Sequence, residues 1–258
     1  LKAPLKSQQA FGRFDYDLTD NIHAYVVGSA VFKKNAQYLS PIQLANVRLS
    51  ASNPFLAQTY RNQLTAAGQT SFTLTEFMEF NAPRRTVRTD ADQFFVNGGL
   101  EGKLGGLDWG VSYTHGWTEQ KTTNQHNVNL GRLAAALDAV TNPATGQIVC
   151  NVTLTNPGLY PGCLPLNVFG PTASNPAAVD YVQGDTVGTG HNIMDDLEGE
   201  LSFQPFSTWA GPVGVAISGQ WRKLTYREES TAPNTIVQNC IGLASNCTAG
   251  SPVWQNSA

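Results

Sequence analysis

The chain has 258 residues, a formal net charge of −3 and a pI near 5.8; only 14% of it is charged, and it carries 24 Gly and 14 Pro. With no Lys/Arg cluster larger than Arg84, Arg85 and Arg88, a nucleic-acid partner is not expected. No apolar run approaches the ~18 residues of a spanning helix, and the glycine and proline content favours strands and loops.

The chain opens LKAPLKSQQAFGR, without Met and without a charged segment leading into an apolar one, and reads as the interior of something longer. Strand signals then come in three pairs. The first is Phe11 to Leu18 and Ile22 to Phe32, joined by Thr19-Asp20-Asn21, with Phe14, Tyr16 and Leu18 on one face. The second strand of this pair is ambiguous, because His23-Ala24-Tyr25-Val26-Val27 has apolar residues on both faces. A long stretch, roughly 33 to 91, follows. In it Ser52-Asn53-Pro54 offers a capping residue and an N1 proline before FLAQTYRNQLTAA, and Gly68 offers a stop. Arg84, Arg85 and Arg88 sit at its end, at the top of the next strand.

That strand, Asp92 to Leu104, pairs with Asp108 to Thr118 around Gly105-Gly106-Leu107, a hairpin signal. Phe94, Val96, Gly98, Leu100, Gly102 and Leu104 oppose Phe95, Asn97, Gly99, Glu101 and Lys103. In the partner, Trp109, Val111, Tyr113, His115 and Trp117 oppose small or polar residues. At about 3.3 Å per residue and a tilt of about 40°, the two tryptophans lie around 20 Å apart along a barrel axis, close to the ~25 Å apolar band that aromatic girdles border.

The stretch from 119 to 192 carries helix signals at Gly131 to Val140 and Pro176 to Val182, and the cysteines Cys150 and Cys163. The third strand pair is Ile193 to Phe203 and Val213 to about Tyr226, connected by Gln204 to Pro212. Ile193, Leu197, Leu201 and Phe203 share a face with Asp195 and Gly199, opposite Asp196, Glu198, Glu200 and Ser202, and Val213, Val215, Ile217, Gly219 and Trp221 share a face of the partner. Asp195, Asp196, Glu198 and Glu200 are expected to be a solvated run, not a metal site. The last stretch, 227 to 258, holds Cys240 and Cys247. Disulfides within each close pair are the natural pairing, although four cysteines allow three connectivities. They imply an oxidising compartment, and neither pair has zinc-knuckle spacing. Connections of some 60 to 70 residues are far beyond the usual range and are normally functional.

Several of these segments together resemble the TonB-dependent outer-membrane receptors of Gram-negative proteobacteria. They are FGRFDYDLTDNIHAYV (11–26), SNPFLAQ (52–58), DQFFVNGGLEGKLGGLDWGVSYTHG (92–116), CLPLNVFGPTASNPAAVDYV (163–182) and LEGELSFQPFSTWAGPVGVAISGQWRKLTY (197–226). The resemblance implies a 22-stranded barrel plugged by an N-terminal domain and energised by the TonB, ExbB and ExbD complex. The plug, the TonB box and the remaining strands are expected outside this chain, which reads throughout (1–258) as part of the barrel domain.

The expected fold is all-β. It is an antiparallel transmembrane β-barrel segment of about six strands in three hairpins, with short periplasmic turns and long extracellular loops containing short helices. Trp109, Trp117 and Trp221 are expected in the membrane girdles, Trp109 on the periplasmic side and Trp117 on the outer side, with His115 near the outer headgroups. The expected function is active uptake of a scarce large solute, a ferric siderophore, cobalamin or an oligosaccharide, across the bacterial outer membrane. Arg84, Arg85, Arg88, Tyr160 and Phe169 are candidate ligand contacts. No enzymatic chemistry, metal or cofactor is expected, since no nucleophile, phosphate-loop or metal motif occurs. Outer-membrane lipid and a small-molecule or oligosaccharide ligand are the other expected partners. The alternatives are a passive outer-membrane porin and a secreted β-sandwich binding protein.

Overall fold

A computed structural model describes residues 4–78, 83–170 and 175–256. Residues 171–174, within the second loop's family-like motif, lie outside that description, as do 79–82 in the first loop. In chain order the elements are β1 (Leu5–Thr19), β2 (Ile22–Tyr38), β3 (Gln43–Ser50), α1 (Gln58–Ala66), β4 (Ser71–Phe77), β5 (Thr86–Leu104), β6 (Leu107–Val128), α2 (Leu130–Leu137), β7 (Ala139–Thr141), β8 (Ile148–Cys150), α3 (Asn151–Thr155), α4 (Pro176–Val182), β9 (Gln183–Thr208) and β10 (Gly211–Ser230). The six long strands form one antiparallel sheet in the order β1-β2-β5-β6-β9-β10. The sheet is open: among the described residues β1 and β10 are its edges.

Each of the three hairpins closes tightly. Thr19 pairs with Ile22, Leu104 with Leu107, and Thr208 with Gly211. Gly105 takes φ +62°, the left-handed conformation that a two-residue hairpin turn asks of its first central residue. The third connection is shorter than the sequence suggests. Phe206 pairs with Val213 and Ser207 with Pro212, leaving Trp209 and Ala210 at the tip.

The register between strands, which shifts only at Asp17/Thr19, Asn124/Asn127 and Val213/Val215, aligns their apolar positions into rows. One row runs Phe14, Val26, Gly98, Tyr113, Leu197, Trp221, and another runs Ala10, Ala30, Phe94, Trp117, Ile193, Thr225. A third runs Ile22, Gly102, Trp109, Leu201, Ile217. This resolves the ambiguity of β2: Ile22, Ala24, Val26, Ala30 and Phe32 belong to the apolar face, while His23, Tyr25 and Val27 belong to the other. Nothing among the described residues covers this face. Phe14 is 67% exposed, Leu197 46% and Trp221 55%. Trp221, the third expected girdle residue, pairs with Leu197, which pairs with Tyr113, so in cross-strand register it falls between the rows of Trp109 and Trp117.

Gly102 lets two parts of this wall meet. A Cβ there would sit 2.5 Å from the Asn21 carbonyl and 3.2 Å from the Trp109 ring. Gly102→Val is therefore expected to destabilise the protein by about 1–3 kcal/mol, the usual cost of overpacking, measurable by denaturant unfolding.

The buried core sits at the other end of the molecule from the hairpin turns. Apart from Val128, at the end of β6, and Ala232, every buried hydrophobic residue described falls within 42–78 or 133–182. The long connections are thus a folded cap. Ile42, Leu44 and Leu49 around the β3/β4 hairpin pack with Leu133 and Leu137 of α2, Leu166 and Val168, and Val179 and Val182 of α4. The final segment is tied in as well. Asn246 accepts from the Arg48 N–H at 2.7 Å and donates to the Arg48 carbonyl at 2.9 Å, and Leu130 N–H donates to Val253 at 2.8 Å. Disulfides join Cys150 to Cys163 and Cys240 to Cys247. The first closes a span of 13 residues, a constraint worth about 3 kcal/mol in the chain-entropy picture.

The helices follow local chemistry. α4 has the expected bounds, with the Asn175 side chain accepting from Ala177 N–H before Pro176. α2 is capped by Asn129, which accepts from Arg132 N–H. α1 begins at Gln58, later than Ser52-Asn53-Pro54 suggests, because Asn53 spends its side chain on Phe55 N–H and forms a turn instead. Gly68, at φ +65°, follows its end.

Candidate functional site

Strands β5, β6 and β9 run on past the aromatic row of Phe94 and Trp117 and reach the cap. Along this extension, the face opposite Trp117 presents Thr118, Gln120, Thr122 and Asn124 at period two. These pair with Asn192, Gly190, Gly188 and Thr186 of β9, and β10 adds Tyr226 and Glu228 opposite Asn192 and Gly190. All of these but Thr186, together with Thr189 and with Asn256 from the final segment, line a cleft of about 610 Å³ beneath the cap. Its chemistry is hydroxyl and amide, with one aromatic ring and one carboxylate, and among the described residues no Lys or Arg lines it. The Tyr226 hydroxyl donates to Glu228 at 2.9 Å, and its ring lies beside Gly190, where a Cβ would be in ordinary contact with it, 3.5 Å from the hydroxyl.

Nearer the hairpin turns the same face is charged, and several of its charges are paired with one another. Asp196, only 6% exposed, accepts from Arg222 Nε at 2.5 Å and Gln220 Nε2 at 2.9 Å. Arg13 bonds Asp15 at 2.7 Å and lies 5.2 Å over the Tyr25 ring, while His23 contacts both Asp15 and Asp17. Asp195 is on the apolar face instead, held by the Tyr113 hydroxyl at 2.6 Å and His115 Nδ1 at 2.8 Å. The acidic run of the sequence is therefore divided between the two faces.

The residues singled out by sequence do not converge on this cleft. Arg85 is buried and works as a clasp, its Nε donating to the Ser40 carbonyl at 3.0 Å and its Nη1 to Gln255 at 2.8 Å. Burial pushes its pKa down from the usual arginine value. Arg88 lies in β5 at the parity of Phe94, on the face away from the cleft, and Arg84 is exposed just before β5. Phe169 packs against the cap core beside Phe72, with ring centroids 6.2 Å apart. The Tyr160 hydroxyl donates to the Asn239 carbonyl at 2.9 Å, and burial raises its pKa. Arg85→Ala is expected to loosen the joint between the first loop and the final segment by about 1.5–3 kcal/mol, the range for hydrogen bonds to a charged group; limited proteolysis of the cap reads this out.

A second, smaller cavity of about 260 Å³ lies inside the cap between α2 and the final segment. Arg132, Tyr160, Tyr181 and Gln238 line it, with the Arg132 guanidinium 5.4 Å from the Tyr181 ring centroid. Gln238 is 6% exposed, and among the described residues its buried Oε1 has no hydrogen-bond partner.

No family model matches the chain, and no curated protein matches it. Among solved structures it is similar to the crystal structure of the siderophore receptor PiuA from Acinetobacter baumannii, at 13% identity and a TM-score of 0.29. That match covers 88% of this chain, which spans 30% of the receptor's length.

Proposed function

We propose that this chain is part of the wall and external cap of a bacterial outer-membrane β-barrel receptor that takes up a scarce, large solute. The observation that carries the proposal is the apolar face itself. It is continuous and in register across six strands, it is uncovered, and the buried core lies elsewhere, in the cap. A soluble protein rarely exposes a contiguous apolar patch larger than a few hundred Å². A bilayer is the partner that suits a face with alternating polar backing, short turns at one end and long connections at the other. In this reading the hairpin turns are periplasmic and the cap is extracellular. Lipid cannot satisfy open strand edges, so β1 and β10 pair with further strands.

The cap favours a receptor over a passive porin. Its own core, two disulfides and bonds to the final segment make a fixed structure over the polar face, which suits capture better than free diffusion. Coupling to TonB, ExbB and ExbD is part of the proposal and would run through a plug. No chemistry on the solute is proposed. The test is fractionation and energetics together: the protein is expected in the outer membrane with heat-dependent gel mobility, and solute uptake is expected to cease in a strain lacking TonB. Recovery as a soluble protein would refute the wall, and uptake independent of TonB would refute the coupling.

A further inference from the structure

We infer that the solute is a neutral oligosaccharide and that the cleft beneath the cap, with Tyr226 as its stacking platform, holds it. The inference rests on the receptor reading and narrows it to one class of ligand. Three properties of the cleft carry it. Its volume of about 610 Å³ lies within the ~300–1,000 Å³ of small-molecule sites. Its polar groups are side chains such as Thr118, Gln120, Thr122 and Asn192, which both donate and accept, as sugar hydroxyls do. Among the described residues its only charged lining group is the Glu228 carboxylate, so an anionic metal chelate or acidic glycan would meet repulsion there.

The Tyr226 ring completes the arrangement. It is 62% exposed, beside the glycine backbone of β9, and its hydroxyl is already engaged with Glu228, so the ring offers an apolar face to a pyranose and not a competing hydrogen bond. The cap cavity points the same way. At about 260 Å³ it has room for a single ring, and its buried Gln238 Oε1 is an acceptor in want of a donor. A hydroxyl supplies that donor, although the Arg132 guanidinium in the same lining is open to an anion as well, so the weight of the inference rests on the larger cleft.

The experiment is isothermal titration of the full-length protein in detergent with maltohexaose, xylohexaose and chitohexaose, set against hexagalacturonate, a ferric catecholate and cobalamin. At least one neutral hexasaccharide is expected to bind, with Tyr226→Ala weakening it by about tenfold or more and Tyr226→Phe, which keeps the ring, by no more than about threefold. Circular dichroism and heat-dependent gel mobility of each variant show that it is folded. Binding of the charged or metal-bearing probes alone, no binding of any neutral hexasaccharide, or equal losses in the two variants overturns the inference. Outer-membrane recovery is scored separately: a membrane protein that fails with neutral sugars overturns only this inference, while a soluble protein overturns the receptor reading beneath it.

Discussion

Replacing Leu197 with arginine is expected to destabilise the protein by about 2–4 kcal/mol in a bilayer, the cost of a cation on the lipid face of a barrel near its midplane. Leu197 lies between Tyr113 and Trp221 in register, at the middle of the apolar face and away from both of its edges. It is 46% exposed in the isolated sheet, so the same substitution on a soluble protein would be a surface change worth no more than about 0.5 kcal/mol. The environment, not the intramolecular contacts, produces the difference. Glu198→Arg is the matched control, since it places the same charge one residue away on the polar face. Denaturant unfolding in lipid vesicles should separate the two variants clearly, and equal small effects would mean that no lipid covers Leu197.

Leu137→Ala should be the most damaging of the simple cap substitutions. The side chain is 2% exposed and belongs to the cluster that joins α2, α4 and the β3/β4 hairpin. Truncation there removes transfer free energy and leaves a cavity, at a cost of about 2–5 kcal/mol. The cap and the wall have almost no buried residues in common, so the loss should be confined to the cap. Hydrogen exchange is expected to accelerate across residues 130–137 and 176–182, while the amides of β5 and β6 below Trp117 keep their protection. Acceleration throughout the sheet would show instead that the cap holds the wall together.

How much of this was legible in the sequence depends on contrast between neighbouring residues. Where apolar and polar residues alternate, as from Trp109 to Trp117, the strand and its faces could be read directly. Where both faces are polar, as in Thr118-Glu119-Gln120-Lys121-Thr122, the period vanishes, although β6 continues to Val128. The cleft is built from this silent stretch. Continuing the alternation outward on the parity opposite Trp117 would have found Thr118, Gln120 and Thr122. The β3/β4 hairpin was missed because Gln43–Ser50 and Ser71–Phe77 are far apart in sequence and lie within what read as a loop.

Proximity in sequence also misled about the arginines. Arg84, Arg85 and Arg88 suggest one basic patch, but Arg85 turns into the cap and Arg88 falls on the apolar-side parity of β5. Cysteine spacing, by contrast, was a sound guide, because a bridge spanning 13 or 7 residues needs only a local turn. Trp221 shows the limit of pattern alone: its face was evident, but its level depends on cross-strand register.

The central claim is that the face of Trp109, Val111, Tyr113 and Trp117 meets lipid. Nitroxide labels placed singly along β6 in the full-length protein, reconstituted in bilayers, test it most directly through collision with oxygen, which concentrates in lipid, and with a water-soluble nickel chelate. The account predicts oxygen accessibility at positions 109, 111, 113 and 117 and nickel accessibility at 110, 112, 114 and 118. Odd-numbered labels shielded from both reagents would place that face in a packed protein core and contradict the account.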